Sequence, residues 1–412
     1  MVPLLQLLAC GPYARWPDPT EVFPYDYSPQ EGLEEYETVR WETETWDTTD
    51  PTMTGLYVQK SFFHRPEAPA EELEHFRAMK PGLPPLGPGI RLGFVGDIMF
   101  IDQSTWSSYT QPAHALLEGV DLRVGNLETP TSVDHSYEPR ALGLYAFNAP
   151  PQILDGLPVD VLQLTNNHSL DAGDLGLSNT KEEVESRGLV PVGIDTQAEV
   201  QVAGSSVALL AFTWGINGGL RSDEHALNIV PFGHLDDEHS LQPIRDQIEE
   251  ASDRVDLVVV LVHWGFEYEY YPDPHFMILA REIIAMGADL VVGQGPHVAQ
   301  PPEICSVDQP DVVPGIGTCS IRTERGEPRT AAVLYSLGNF GTEMLTVPTQ
   351  VGLVATVSLD STGVTGLGWQ AVASIKRDGQ PLVVPLSSLT DEPAYAEESA
   401  RLALHLGSSW AQ

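Results

Sequence analysis

Basic side chains, cysteines and long apolar runs are all scarce in this sequence. The 412 residues contain 21 lysines and arginines against 58 acidic residues, and the formal net charge at pH 7 is −37. We expect no nucleic-acid partner, because binding a polyanion requires basic side chains that displace counterions. Beyond residue 10, no run is long and apolar enough to span a membrane. Length and composition therefore indicate one large domain with appendages, or two domains.

The 3 cysteines are informative through their positions. Residues 1–10 end in Leu7-Leu8-Ala9-Cys10, which looks like the lipobox of a bacterial lipoprotein, where the cysteine is lipidated. Its apolar region is short and no Lys or Arg precedes it, so a chance match stays open. Cys305 and Cys319 lie in one loop-like segment and would pair in an oxidising compartment, but would stay free thiols in a reducing one. Export and pairing support each other.

Residues 11–88 are interpreted as an acidic, partly disordered spacer. They are rich in proline, acidic residues and threonine, and few apolar residues recur at helical or strand spacing. Their tryptophans and tyrosines leave open that part of the segment packs on the domain. The proline- and glycine-rich run Pro81 to Gly89 marks the boundary. We predict one domain over 89–345, and a β-rich part of the same domain over 346–412.

From Ile90 onward, short apolar runs alternate with segments of helical period. Strands are predicted at Ile90–Val95, Val120–Val124, Val159–Leu164, Ser206–Phe212, Val255–Val262, Asp289–Val292 and Ala331–Tyr335. The clearest helix carries an apolar stripe from Phe276 to Ile284 and is closed by Gly287. This alternation favours an α/β fold with a largely buried sheet. After Gly341, apolar residues alternate at period two, which predicts strands that complete a second sheet.

Polar residues cluster where these predicted strands end. The apolar run that ends at Leu164 is followed at once by Asn166, Asn167 and His168. Open α/β sheets place their sites at the carboxyl ends of strands. Asn and Asp also favour ordinary turns, so one such cluster could equally be a turn. The same arrangement recurs along the chain and predicts a shared site of Asp97, Asn126, Glu128, Asn167, His168, Asp171, His263, Glu267, His297 and Asn339.

This set of side chains suits a metal ion. Carboxylate, amide and imidazole ligands together are typical of Mn, Fe or Zn sites. A bound ion can lower the pKa of a water molecule and polarise a phosphoryl or carbonyl oxygen. His168 beside it could protonate a leaving group. Each residue taken singly has a structural alternative: Asp97 and Asn126 as turn formers, Glu128 as a solvated acid, and His263 as a hydrogen-bonded histidine at a strand end.

A series of motifs, in order along the chain, resembles the CapA family of bacterial capsule and poly-γ-glutamate synthesis proteins. They are Gly96-Asp97-Ile-Met99, Asn126-Leu-Glu128, Phe147-Asn-Ala-Pro150, Asn166-Asn-His-Ser-Leu-Asp171-Ala-Gly173, His263-Trp-Gly-Phe-Glu267-Tyr, Gly287-Ala-Asp-Leu-Val-Val-Gly293, Pro296-His-Val298 and Ser336-Leu-Gly-Asn-Phe340. The domain of that family is similar to calcineurin-like metallophosphoesterases. The resemblance runs from about Ile90 to Phe340 and implies a four-layer αββα sandwich with a metal site at the strand ends.

The resemblance also implies a role for most of the candidate residues. The expected ligands of one or two divalent ions (Mn, Fe or Zn) are Asp97, Glu128, Asn167, His263 and His297. His168 is the expected acid that assists the leaving group, and Asp171 and Glu267 are grouped with it as candidate catalytic residues. No role is settled for Glu267, or for the motif residue Asn339, and Asn126 is a further motif residue.

Two positions depart from the phosphoesterase pattern. Met99 stands where a histidine usually follows the first aspartate, and Gly295 stands where the first of two final histidines is usual. Two expected ligands are therefore missing, and two ions, a single ion or none all stay open.

Together with the lipobox-like segment at Cys10, the resemblance leads us to expect an exported, lipid-anchored protein of the bacterial cell envelope. It would synthesise or handle an extracellular anionic polymer, poly-γ-glutamate or a capsule, through a metal-centred, hydrolase-like site. One alternative is a non-catalytic polymer-binding or assembly component, and another is a general metallophosphoesterase that hydrolyses a small phosphoester. The expected partners are the polymer or phosphoester and other envelope biosynthesis proteins, with membrane contact only through the lipid anchor.

Overall fold

A computed structural model describes residues 85–99, 108–137, 140–142, 144–217, 221–230, 241–272, 274–308, 319–322 and 328–406. Cys10 with its predicted lipidation and the predicted spacer up to residue 84 lie outside these residues. Among the helices of the described segments, none has the length and apolar character needed to cross a bilayer.

Strands and helices alternate along most of the described chain. The strands are β1 Ile90–Ile98, β2 Leu122–Leu127, β3 Arg140–Leu142, β4 Leu144–Ala146, β5 Val161–Gln163, β6 Val190–Val192, β7 Ala198–Val202, β8 Ser205–Thr213, β9 Leu257–His263, β10 Leu290–Gln294, β11 Glu303–Val307, β12 Cys319–Ile321, β13 Arg329–Leu334, β14 Asn339–Gly341, β15 Val351–Asp360, β16 Gly363–Arg377 and β17 Gln380–Pro385. The helices are α1 Gly173–Ser186, α2 Gln242–Ser252, α3 Pro274–Ala285, α4 Val347–Gln350 and α5 Pro393–Leu406, with short 3-10 helices at Gln111–Leu117, Pro151–Leu154 and Leu386–Leu389. The predicted α/β class is confirmed.

The main sheet has 15 strands, with β6-β5-β2-β1-β15-β16-β13-β10-β9-β8-β7 as its path and β11, β12, β14 and β17 attached to it. Neighbours from β6 to β1 pair in parallel, as do neighbours from β13 to β8. A single register pair, Thr330 with Gly363, connects these two halves. Parallel pairing brings the carboxyl ends of β1 and β2 together, and likewise those of β9 and β10.

Apolar side chains of the strands are buried on both faces of the sheet. In β9, Leu257, Val259 and Leu261 belong to one buried cluster, which also contains Leu92 and Phe94 of β1. The alternate residues Val258, Val260 and Val262 pack with the apolar stripes of α2 and α3. A third cluster joins Val95 and Ile98 to Leu177 and Val184 of α1. Burial on both faces explains why these strands are nearly continuous apolar runs.

The C-terminal strands differ in position from the second sheet that the sequence predicts. β15 pairs antiparallel with β1, from Ile90 with Leu359 to Val95 with Val354, and so continues the main sheet. Alternation at period two predicts a strand but does not identify its neighbour. The β-rich prediction also missed α5, whose buried residues are Glu398, Leu402 and Leu406. One of these three is a carboxylate, so the apolar signal of the helix is weak.

Residues before the predicted boundary at 89 already pack on the tail strands. The Gly87 amide donates a hydrogen bond to Ser358 Oγ at 2.8 Å. The Thr365 hydroxyl donates to the Pro88 carbonyl at 2.6 Å. The packed part of the chain therefore includes a few residues that the sequence assigns to the spacer.

The two cysteines of the C-terminal half lie in strands, not in the loop that the sequence suggests. Cys305 of β11 and Cys319 of β12 are register partners in a parallel pair. A disulfide joins them, and both are buried beside the apolar face of β13.

Candidate metal centre

The end of β1 approaches the chain around Gly338 so closely that only glycine fits beside it. A Cβ at Gly96 would lie 2.0 Å from the Gly338 carbonyl oxygen. The amide of the next residue, Asp97, donates to that oxygen at 3.0 Å. The Gly-Asp pair therefore fixes where the first carboxylate enters the site.

Asp97, Glu128 and His263 form a compact group. One possible ligand atom from each lies within 4.8 Å of the others. Asp97 and Glu128 are fully buried, and His263 is 3% exposed. They come from β1, from the residue after β2 and from the end of β9, as expected for a site at strand ends.

His297 lies beside both carboxylates of this group. Its Nδ1 lies 3.3 Å from Asp97 Oδ2 and its Nε2 lies 3.8 Å from Glu128 Oε1. Nδ1 is also 3.1 Å from Asn339 Oδ1, so the motif residue Asn339 holds the imidazole. His297 has φ +59°, a left-handed backbone that a residue with a Cβ adopts at a cost. Strain of this kind is concentrated at functional sites.

Two asparagine side chains orient the carboxylate of Asp97. Asn126 Nδ2 donates to Asp97 Oδ1 at 2.7 Å, and Asn166 Nδ2 donates to Asn126 Oδ1 at 3.1 Å. When both carboxylates are ionised, neither oxygen of Glu128 accepts a hydrogen bond from the described residues, and the neighbour of Asp97 Oδ2 is the His297 imidazole at 3.3 Å. A buried carboxylate oxygen without a donor is costly. These oxygens therefore fit a cation as their partner.

The four titratable groups have different charge states because burial and neighbouring charges oppose each other. Burial, then the charge of Asp97, raises the pKa of Glu128 well above its usual value. Burial also favours neutral Asp97, but the hydrogen bond and charge of His297 outweigh it, and the pKa of Asp97 is lowered. Burial lowers the pKa of His263 to about 3. His263 is thus neutral at pH 7, the form in which imidazole binds metals.

His297 behaves in the opposite way to His263. Burial disfavours its charged form, yet the charge of Glu128 and the hydrogen bond and charge of Asp97 raise its pKa to about 10. In the absence of a cation, the raised pKa values of His297 and Glu128 both favour protonation, which compensates part of the negative charge of the group.

The predicted acid His168 forms a tight pair with Asp171. His168 Nδ1 and Asp171 Oδ2 are 2.6 Å apart, and the Phe147 amide donates to the same oxygen at 2.6 Å. The Phe147 ring lies over the imidazole, with the two ring centroids 4.3 Å apart. Asp171 therefore occupies Nδ1 and leaves Nε2 for proton exchange. The charge of His168 also contributes to the low pKa of His263, so the pair lies near the buried group.

Of the two polar atoms of the Asn167 side chain, only one has a hydrogen-bond partner among the described residues. Its Nδ2 donates to Asn217 Oδ1 at 3.3 Å, while its Oδ1 is buried and accepts no hydrogen bond from the described residues. The sequence prediction missed Asn217, which lies four residues beyond Thr213 at the end of β8. Asn217 is also a polar residue that follows a strand, but Trp214, Gly215 and Ile216 separate it from the end of β8.

Glu267 is partly exposed beside the group. Its negative charge raises the pKa of both Glu128 and His297. Glu267 is not a member of the group of Asp97, Glu128 and His263 whose ligand atoms lie within 4.8 Å of one another.

The two positions that depart from the phosphoesterase pattern both lie close to neighbouring groups. Gly295 has φ +117°, and a Cβ there would lie 2.4 Å from the Trp264 carbonyl oxygen and 3.3 Å from His263 Nε2. No side chain fits, so a histidine ligand is sterically excluded at this position. Met99 is buried, and its sulfur lies 3.6 Å from the Thr342 hydroxyl.

Fold and site together define a mixed α/β protein with a buried group of carboxylates and imidazoles at the carboxyl ends of its strands. The family model for the bacterial capsule synthesis protein PGA_cap matches residues 91–343. The chain belongs to this family, which confirms the CapA resemblance of its motifs.

This chain is similar over part of its length to two capsule or PGA biosynthesis proteins. It is 28% identical to the PGA biosynthesis protein CapA of Bacillus subtilis over 264 residues, which are 60% of this chain and 62% of that protein. It is 34% identical to the capsule biosynthesis protein CapA of Bacillus anthracis over 154 residues, 34% and 35% of the two chains. The matches thus span less than two thirds of either relative. A novel phosphatase from Mycoplasma pneumoniae is similar in structure with a TM-score of 0.40 and 10% identity, over 75% of this chain and 97% of that one.

Proposed function

We propose that this protein takes part in the synthesis or handling of an extracellular anionic polymer, poly-γ-glutamate or a capsule, through a metal-centred site. Membership of the PGA_cap family and the names of the Bacillus relatives support the polymer. The observation that carries the metal site is the buried group of Asp97, Glu128 and His263, in which neither oxygen of Glu128 accepts a hydrogen bond from the described residues.

The donor set suits one divalent ion, Mn, Fe or Zn. Asp97, Glu128 and His263 would hold it, and the free oxygen of Asn167 and the imidazole of His297 are the further ligands that we propose. An ion bound here supplies an acidic water molecule and polarises a phosphoryl or carbonyl oxygen. Neutral His263 needs no deprotonation to bind, and the two carboxylates balance the charge of the ion.

The residues around the ion have separate tasks in this proposal. Asp171 holds His168 through Nδ1, so that Nε2 can deliver a proton to the leaving group of a phosphoester or an amide. Phe147 covers one face of the imidazole and limits access of water there. Asn126 keeps one oxygen of Asp97 occupied and so directs the other toward the cation.

We also propose that the fold is a four-layer αββα sandwich. The three buried clusters would be its three interfaces: the two halves of the sheet against each other, and each half against helices. For the location, the Cys305–Cys319 disulfide supports an oxidising compartment outside the cytoplasm. Lipidation at Cys10, attachment to the cell envelope and association with other envelope biosynthesis proteins belong to the same proposal.

One observation favours a second candidate, a polymer-binding or assembly component without catalysis. Gly295 excludes one of the ligands that a two-metal phosphoesterase site uses, and Met99 replaces another. The His168–Asp171 pair favours an enzyme instead, because binding alone does not require an oriented imidazole. A general phosphoesterase acting on a small substrate would use the same site.

A substrate screen separates these functions. The purified, metal-loaded protein is incubated with poly-γ-glutamate, capsule polysaccharide and small phosphoesters, and new chain ends and free phosphate are measured. Turnover is expected with the polymer, and His168→Ala should lower it about 10²- to 10⁴-fold. His225→Ala is the matched control, since His225 bonds Ser178 and Asp195. Polymer binding without turnover in all variants would instead establish the binding component, and turnover of small phosphoesters alone would establish the phosphoesterase.

Metal binding is expected to release protons and to strengthen as the pH rises. The pKa of His297 is raised to about 10, so its proton is present at pH 7 and must leave before the imidazole can bind an ion. The raised pKa of Glu128 acts in the same direction. For each proton displaced, the affinity should rise about tenfold per pH unit below that pKa. Calorimetric titration in buffers of different ionisation enthalpy, at pH 6, 7 and 8, measures the proton count.

His297→Gln is the control for this experiment, because it removes one of the titrating groups. It should release fewer protons and show a shallower pH dependence than the wild-type protein. An affinity that stays constant from pH 6 to pH 8 would contradict the assignment of His297 as a ligand.

A further inference from the structure

Asn217, in the loop that follows β8, contacts Asn167 and His168 in the loop that follows β5. Its backbone amide donates to the Asn167 carbonyl at 2.8 Å, and its Oδ1 accepts from Asn167 Nδ2 at 3.3 Å. Its own Nδ2 lies 3.3 Å from His168 Nδ1 and 3.4 Å from His168 Nε2. One residue thus contacts both the proposed ligand and the proposed acid.

The contact with Asn167 determines which atom of that amide is available. A carboxamide presents an acceptor on one branch and a donor on the other, and a half-turn exchanges them. Asn217 Oδ1 is an acceptor and therefore selects Nδ2 of Asn167. The remaining branch is Oδ1, which is buried and accepts no hydrogen bond from the described residues. Oxygen, not the amide nitrogen, is the atom that a divalent ion binds.

The contact with His168 is of a different kind. The Asn217 nitrogen is almost equally far from the two ring nitrogens. Asp171 holds Nδ1 at 2.6 Å. Asn217 therefore adds a second contact to the His168 ring.

We infer that Asn217 is a positioning residue of the metal site, which presents the Asn167 oxygen as a ligand. This inference rests on the proposed metal-centred function. Side chains that orient ligands in this way typically contribute about 10- to 100-fold to metal affinity. A residue that only tethers two loops would instead affect the stability of the metal-free protein and leave the affinity unchanged.

The test is a double-mutant cycle on metal affinity in the full chain. Asn217→Leu keeps the size of the side chain but removes the acceptor, and Asn217→Asp keeps an acceptor oxygen. Affinity for Mn²⁺ and Zn²⁺ is measured by chelator competition for both variants, for Asn167→Ala and for Asn167→Ala/Asn217→Leu. Asn228→Ala is the matched control, since the Asn228 amide bonds the Ala211 carbonyl and Gln247.

Asn217→Leu is expected to weaken binding about 10- to 100-fold, and Asn217→Asp to recover most of that loss. In the Asn167→Ala background, Asn217→Leu should cause little further loss, because its effect passes through Asn167. Wild-type affinity in Asn217→Leu, or full additivity in the double variant, would overturn the inference. A wild-type protein that binds neither ion would overturn the proposed function itself. Should Asn217→Leu not fold, Asn217→Ala replaces it in the cycle, with far-UV circular dichroism as the folding check.

Discussion

Replacing His263 with alanine is expected to abolish the stabilisation that added Mn²⁺, Fe²⁺ or Zn²⁺ gives to the wild-type protein. His263 is the neutral imidazole of the three-residue group, and its removal leaves two buried carboxylates close together. An ion at a thousandfold excess over its dissociation constant should stabilise the wild-type fold by about 4 kcal/mol. For His263→Ala, the gain at the same concentration should be below about 1 kcal/mol. Urea unfolding with and without each ion measures both values.

The control for this substitution is His225→Ala. His225 contacts Ser178 and Asp195 and takes no part in the buried group. Its variant should gain as much from the ion as the wild-type protein does. If His263→Ala is stabilised by metal to the same extent as the wild type, the ion binds elsewhere or through other ligands.

Gly295→Ala is expected to destabilise the protein by about 3 kcal/mol or more. A residue with a Cβ at a positive φ of this size costs about 1–3 kcal/mol by itself. The new Cβ would in addition lie 2.4 Å from the Trp264 carbonyl oxygen, which is backbone in the motif that carries His263. Either that backbone moves or the fold loses stability, and movement would also disturb the metal site. Chemical denaturation gives the free energy of unfolding.

Gly204→Ala is the matched comparison. Gly204 has φ +96°, and its Cβ would meet nothing within 4 Å, so only the conformational cost of about 1–3 kcal/mol applies. Equal losses for the two substitutions would show that the Trp264 contact is unimportant. A larger loss for Gly295→Ala would explain why a histidine cannot simply be restored here to build a second metal position.

The location of the site could be predicted from sequence because strand ends converge by topology. Asp97 and Asn126 lie one residue before the ends of β1 and β2, Asn339 begins β14, and the three are register partners across these strands. The sequence shows apolar runs followed by polar residues, and parallel pairing of the strands brings those polar residues to the same edge of the sheet. Predicted strand ends were too early, since Asp97, Asn126 and His263 are themselves strand residues. Asn126 contacts both Asp97 Oδ1 and His263 Nδ1, and residue propensities do not include such contacts between strands.

Other features depend on contacts that a single sequence does not encode locally. The role of Asn217 follows from two loops that are 50 residues apart in sequence. The opposite pKa shifts depend on the three-dimensional surroundings: burial dominates at His263, whereas the charges of Glu128 and Asp97 outweigh burial at His297. Similarly, the exclusion of a side chain at Gly295 requires knowledge of the Trp264 carbonyl. These are all three-dimensional properties, so the motif alone could not supply them.

The strong negative charge of the chain bears on the proposed substrate. A net charge of −37 opposes the approach of an anionic polymer. At physiological salt, however, repulsion between exposed charges is screened beyond about 8 Å. A divalent ion in the buried group would supply positive charge directly at the point of contact, where screening is weakest. Polymer binding is therefore expected to depend on the ion.

The most direct test of the metal-centred site is elemental analysis of the purified full chain beside an Asp97→Ala/His263→Ala variant. Circular dichroism of both proteins ensures that they are folded. The proposal predicts about one equivalent of Mn, Fe or Zn in the wild-type protein. The same ion should be reduced to a trace in the variant. Absence of bound metal from the wild-type protein, even after incubation with each ion, would contradict the metal-centred site.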